Sequence, residues 1–311
     1  MPLPVVPPRS SSRQFDVVGL GESSLDFVAV VTSPIHSDSK LPIERFETMA
    51  GGQTATALVA CARLGHRARY VGTIGGDEAG TFIRRSLQQE SVDVAAVTRD
   101  GVRSRVAVVL VETETGKRTI LERRDPRLVL EPPEIDESLV TSGRVLLVDC
   151  VDVEASIAAA EMARRSGMPV IVDAEEPGPR VNELLRAIDV IVVARTFLDS
   201  FSGGTTTGLA LQRLDDECHP ALAVVTLGPE GSLARFEGRE IRTPAVEVDV
   251  IDTTGAGDAF RGGFAASWLR SGATPDVEQL LRAANAVAGL NCRALGAQAG
   301  LPYPTELDGY L

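Results

Sequence analysis

The stretch VEVDVIDTTGAGDAFRGGFAASWLRSG, beginning at Val246, gathers the residues best suited to chemistry. Alternating strand-like residues lead into a glycine-rich turn, and a run of Ala, Phe and Trp with helical character follows. At the junction, Gly255, Ala256 and Gly257 let backbone N–H groups point into one concavity, and the helix starting there adds the positive end of its dipole. Together they make an anion site. Asp258 comes next, in the first turn. Its carboxylate has two uses. It stabilises the helix dipole by about 0.3–1 kcal/mol, or it takes a proton from a substrate hydroxyl while the amides hold a phosphoryl group in transfer. The second use needs mainly alignment and charge stabilisation once Mg2+ is present. The residues alone leave both open.

Other nucleotide and hydrolase signatures are absent. The Gly116–Lys117 pair is followed by Arg118 and lies in an expected hairpin, which excludes a P-loop. GLGESS from Gly19 offers GxG without a third glycine, a poor dinucleotide fingerprint. No GxSxG elbow occurs. His36, His66 and His219 are far apart and read as ordinary surface or core histidines. Cys61, Cys150, Cys218 and Cys292 are scattered singly, so neither a CxxC metal site nor a disulfide framework is expected, and a reducing cytoplasm is the expected setting.

The elements that must position the glycine turn follow an α/β rhythm. Nearly continuous apolar runs, FDVVGL from Phe15, ARYVGTI from Ala68, RVLLVD from Arg144, PVIVDA from Pro169, DVIVVA from Asp189 and ALAVVTL from Ala221, read as parallel strands buried on both faces. Between them TATALVACARLG, EAGTFIRRSLQQE, VEASIAAAEMARRSG and TTGLALQRLDDE read as helices. The expected fold is therefore a doubly wound, mainly parallel sheet. Residues 25–47 and 102–122 break the rhythm: LDFVAVV, RVAVVLVE and KRTILE suggest hairpins, hence a small β-sheet lid over the carboxyl ends of the main strands, where ligands bind. Unpaired lid edges suggest pairing of two lids in a homodimer.

With 311 residues, 44% of them hydrophobic and 4% aromatic, the chain has the make-up of a globular domain with a large core. No run approaches the roughly 20 apolar residues of a membrane helix. A net charge of −12 argues against nucleic acid or an anionic membrane surface as the main partner. The first fourteen residues, rich in Pro and Ser, are expected to be a disordered tail, leaving residues 15–311 as one domain with the lid strands inserted.

DTTGAGDAFRGGF resembles the signature of the ribokinase-like (PfkB) carbohydrate kinases, and AGGQTATALVACARLG resembles their N-terminal glycine-pair motif. The resemblance runs in order from about Phe15 to Pro302 and includes VTLGPEG at Val225. It implies an ATP-dependent sugar kinase using Mg2+. By that resemblance Asp258 is the base, Gly255, Ala256 and Gly257 form the anion hole, and Asp26 holds sugar hydroxyls. Gly51 and Gly52 let the backbone approach the sugar, with Gln53 and Thr56 beside it, while Thr226, Gly228, Gly231 and Thr254 lie along ATP. Asp252 and Thr253 resemble the start of a loop that often holds a monovalent cation such as K+.

Two departures stand out. The glycine-pair motif often carries Asn where this chain has Thr56, a hydroxyl in place of an amide. The NxxE motif should fall at Ala194 to Phe197, which reads ARTF, so Mg2+ is left to nearby acids or to ATP itself. The GGxxAT variant, GKRTIL and CRALGAQAGLP most resemble the branch containing ketohexokinase and sulfofructose kinase, which implies a ketose acceptor and makes Arg118 a candidate for the transferring phosphate. Arg123, Arg124 and Arg127 form a basic cluster that either recognises an anionic substituent or pairs with surrounding acids. The alternatives are a nucleoside kinase, which the scarcity of aromatic residues disfavours, and a sugar-binding regulator of the same fold without turnover.

Overall fold

A computed structural model describes residues 1–32, 37–38, 40–113, 115–272 and 274–310, so His36 lies outside the described residues. The strands in chain order are β1 (Val17–Leu20), β2 (Ser24–Val31), β3 (Ile43–Gly51), β4 (Ala68–Gly75), β5 (Asp93–Arg99), β6 (Val106–Glu112) and β7 (Arg118–Arg123). There follow β8 (Val145–Val148), β9 (Val170–Ala174), β10 (Val190–Ala194), β11 (Leu222–Thr226), β12 (Ser232–Phe236) and β13 (Arg239–Thr243). The helices are α1 (Gln53–Arg63), α2 (Glu78–Gln89), α3 (Glu137–Val140), α4 (Val153–Arg165) and α5 (Pro179–Leu185). Then come α6 (Arg195–Ser202), α7 (Thr207–Cys218), α8 (Ala256–Arg270), α9 (Val277–Asn291) and α10 (Pro304–Leu307).

Nine strands form one sheet in the order β13-β12-β11-β10-β9-β8-β1-β4-β5. All neighbours from β11 to β5 are parallel, and only the β11–β12–β13 edge is antiparallel. Two apolar layers cover it: side chains of α1, α2, α8 and α9 pack on one face, and those of α3 to α7 on the other. Burial on both faces is why these strands read as continuous Val, Ile and Leu runs. Phe197, at the last position of ARTF, is wholly buried in the second layer and stacks on Phe201.

The expected lid is a separate four-stranded sheet, β3-β2-β6-β7. Its two antiparallel hairpins, β2–β3 and β6–β7, are joined by a parallel β2–β6 seam. Because strand side chains alternate, the register puts Asp26, Val28, Met49, Ala107, Val109, Val111 and Arg118 on one face. Val28, Ala107, Val109 and Val111 pack there against Leu295 from the body, so this face looks down on the glycine turn. The opposite face carries Phe27, Phe46, Val108, Leu110 and Leu121.

The alternating stretch from Val246 forms no strand, contrary to expectation. The N–H groups of Ile251 and Asp252 donate to the Cys292 carbonyl, at 2.8 and 3.2 Å, rather than to a neighbouring strand. The first fourteen residues, expected as a disordered tail, carry no helix or strand and lie against the body. Leu3 is buried, Arg9 Nε donates to Asp16 at 2.8 Å, and the Pro7 carbonyl accepts from Arg144.

Candidate active site

Gly255 caps α8 with φ 74°, and a Cβ there would meet the Ala297 carbonyl oxygen at 2.5 Å. No side chain caps the helix; Ala256 N–H makes a long bond, 3.3 Å, to the Thr253 carbonyl, and the N–H groups of Gly257 and Asp258 keep their hydrogen-bonding capacity among the described residues. Nothing lies within 4 Å of where a Gly257 Cβ would stand, so the approach is open. These features fit the phosphate groups of ATP. Asp258 follows on the same turn. Burial pushes its carboxyl up, the charges of Arg261 and Arg118 oppose this, and Asp149 adds to it.

Arg261, one turn further along α8 and only 2% exposed, reaches back to Asp258 and also lies 2.8 Å from Asp173 at the carboxyl end of β9. Burial drives the Asp173 carboxyl up to about 7 against the pull of Arg261. Asp149, wholly buried just after β8, accepts from Glu22 N–H and the Thr54 hydroxyl, each at 2.7 Å, and from Val151 N–H at 3.1 Å. Glu22 is buried 2.9 Å from Arg105, and its desolvation raises it to about 8. Arg105 also pairs with Glu122 of the lid.

The expected sugar side assembles beneath the lid. Asp26 accepts from the Ser24 hydroxyl at 2.6 Å. Burial raises its carboxyl, the Ser24 hydroxyl and Arg105 oppose that, and the charges of Asp258 and Asp252 add to the rise. A Cβ on Gly51 would overlap the Asp26 carboxylate, and one on Gly52, whose φ is 93°, would overlap the Ser23 backbone. Gln53 is buried, and its side chain favours the charged form of Glu175, whose carboxyl burial pushes up. Thr56 is fully buried on α1, and its hydroxyl accepts from Gln298 Nε2 at 3.3 Å.

Arg118, on β7, donates from Nη1 to the Thr253 hydroxyl at 3.0 Å, and Thr253 Oγ1 donates to the Gly116 carbonyl at 3.2 Å, so the lid turn clasps the glycine loop. Asp252 is wholly buried: one oxygen accepts from Thr254 N–H and Oγ1, at 2.8 and 2.7 Å, and the other from Gly296 N–H at 2.7 Å. Thr254 therefore turns its hydroxyl to Asp252, and K+ at Asp252 would share its oxygens with these donors. Among the described residues no group of three or more His, Cys, Asp or Glu could hold a metal ion.

Thr226 ends β11, and Gly228 and Gly231 follow with φ of 58° and 87°. A cavity of about 440 Å³ beside this loop is lined by Arg195, Thr207, Leu227, Glu230, Leu233 and Arg242. Another, of about 320 Å³, lies between the start of α2 and the lid, and of the residues singled out in the sequence only Arg123 lines it. Of the basic cluster, Arg124 pairs with Asp152 at 2.6 Å and Arg127 with Asp125 at 2.8 Å, while Arg123 makes no ion pair among the described residues and lines the second cavity. Sequence reasoning missed the role of Arg261. Its signal was a cation in the middle of a helix, among apolar residues and glycines, three residues after Asp258.

A parallel sheet with an uncapped, glycine-led helix at its carboxyl edge, roofed by a second sheet, is the ribokinase-like architecture. The chain belongs to the pfkB family of carbohydrate kinases, whose model matches residues 14–304. It is similar to the fructokinase of Salmonella typhimurium, 30% identical over 280 residues that cover 83% of this chain and 90% of the relative. A crystal structure of a candidate ribokinase from Agrobacterium tumefaciens matches with a TM-score of 0.88 at 25% identity, covering 95% of this chain and 96% of that one. An Arabidopsis thaliana ribokinase complexed with ribose and ATP has the same fold, with TM-score 0.77, 23% identity, and coverage of 95% and 98%. The chain is thus an ATP-binding phosphotransferase that acts on a sugar alcohol. Among the described residues no helix is long and apolar enough to cross a membrane.

Proposed function

We propose that this chain phosphorylates the hydroxymethyl group of a ketose, with fructose as the first acceptor to test and Asp258 as the base. The observation that carries the reading is a carboxylate in the first turn of an uncapped, glycine-led helix, held by Arg261, with Arg118 of the lid tied to Thr253 of the same loop. ATP supplies the γ-phosphoryl group, and Mg2+ spreads its charge. Asp26 orients the sugar by accepting from its hydroxyls, and the bare backbone at Gly51 and Gly52 admits the ring closely. Asp258 takes the alcohol proton as the oxygen attacks. The amides of Ala256 and Gly257 with the Arg118 guanidinium hold the charge that gathers on the phosphoryl oxygens. The lid excludes water. Four free cysteines suit a reducing, cytoplasmic setting.

The test is ADP release with ATP, Mg2+ and a panel of fructose, tagatose, ribose and adenosine. A ketose should give the highest kcat/KM, whereas turnover of adenosine alone would make the chain a nucleoside kinase. In the same assay Asp258→Asn should lower kcat by about 10²-fold or more while sugar still binds. Near-normal turnover in that variant removes Asp258 as the base.

We also propose that two copies pair through their lids. Phe46 and Leu121, 56% and 58% exposed, lie on the face turned away from the cleft, and β3 and β7 have unpaired edges.

A further inference from the structure

Helix α8 has little freedom to move. A Cβ on Gly262 would meet the Ala57 carbonyl of α1 at 2.5 Å, and one on Gly263 would meet Val287 of α9 at 2.8 Å. Both neighbours therefore press directly on its backbone. Arg261 sits between these contacts, and its guanidinium is sealed from solvent. A structural Arg–carboxylate pair is commonly bidentate, with two nitrogens on two oxygens. Here a single nitrogen, Nη2, serves both Asp258 Oδ1 and Asp173 Oδ2, while Nε has no partner among the described residues. The geometry is that of one cation divided between two carboxylates rather than of a locked pair.

We propose that Arg261 is a positioning residue that holds the Asp258 carboxylate ionised and aimed into the cleft, and that Asp173 competes with Asp258 for the same guanidinium nitrogen. This rests on the reading of Asp258 as the base. Charged groups act on that carboxylate from several elements, Asp26 on β2 of the lid among them. Arg261 is on α8, Asp173 ends β9 with Glu175 just beyond, Asp149 follows β8, and Arg118 hangs from the lid on β7. Two cations thus face several acids in a buried space, and Arg261 is the cation that touches Asp258. Without it, only the more distant Arg118 opposes desolvation and the neighbouring acids, and the protonated, inactive base is favoured.

The experiment is the pH dependence of kcat/KM for the best sugar of the panel at saturating ATP and Mg2+, whose acid limb reports the base in the free enzyme. Removing a cation raises the apparent pKa of an acid, and an acid is a base only above it. Arg261→Gln should therefore move the acid limb to higher pH by about one unit or more. Arg261→Lys, which keeps the charge, should return it most of the way. Asp173→Asn takes away the competing charge, so its limb falls at the wild-type position or lower. Coincidence of the Arg261→Gln limb with wild type overturns the proposal, as does an Arg261→Lys limb displaced as far as that of Arg261→Gln. A limb that rises in Asp173→Asn overturns the competition. If Arg261→Gln does not fold, the Arg261→Lys and Asp173→Asn profiles decide. The carboxyl ¹³C resonance of Asp258, assigned by its loss in Asp258→Asn, reads the same shifts without turnover. Failure of the parent reading looks different: Asp258→Asn would then turn over at a near wild-type rate.

Discussion

Gly51 lacks a side chain where Asp26 fills the space that one would need. Because the obstructing atoms are the end of a short side chain and not backbone, Gly51→Ala should fold and displace the Asp26 carboxylate instead. Steady-state kinetics with the sugar varied should show KM raised by about tenfold or more with a smaller loss in kcat, since a shift of about 1 Å at a positioning group costs that much. An unchanged KM would separate Asp26 from the sugar. At this scale the sequence was legible where the chemistry is contiguous. Gly255 to Asp258, Gly51 and Gly52 are neighbours in the chain, and a glycine next to a helix start has a definite physical meaning. It was not legible where partners come from distant strands. Nothing local to Asp149 or Asp173 says that they will face Arg261, and the hold of Arg105 on Glu22 and Glu122 spans the lid and the body.

The elements were read well where burial is two-sided. β1, β4 and β8 to β11 announced themselves as apolar runs and β2, β6 and β7 of the lid as short strand-like segments, whereas β3 was not singled out. The β12–β13 hairpin and β5 escaped because they lie towards the sheet edges with many half-exposed or exposed positions, so their residues lack a continuous apolar run. The stretch before Asp252 misled in the opposite sense. It alternates like a strand, but its amides are claimed by the loop after α9. That loop also fixes the cap of α8. At Gly255 an alanine would have to adopt φ near 74° against the Ala297 carbonyl, so Gly255→Ala should lower stability by about 1–3 kcal/mol in urea unfolding and reduce kcat as the amide cradle deforms. Unaltered stability would mean that the cap tolerates a side chain.

For the whole molecule, the outer lid face is the surface most in need of a partner. Size-exclusion chromatography with light scattering should give a dimer for the wild type. The double variant Phe46→Glu, Leu121→Glu should give a monomer that melts within a few degrees of wild type, because both side chains are already exposed. A monomeric wild type at about 50 μM would remove the proposal.

The parallel seam between β2 and β6 carries a consequence for how the molecule comes into being. α1, β4, α2 and β5 are threaded between the two strands, so the floor of the cleft must be laid before its ceiling can be joined. The ceiling is therefore no transplantable module: moved to another protein without that intervening chain, it would arrive as two loose hairpins with bare backbone along the edges that should have met.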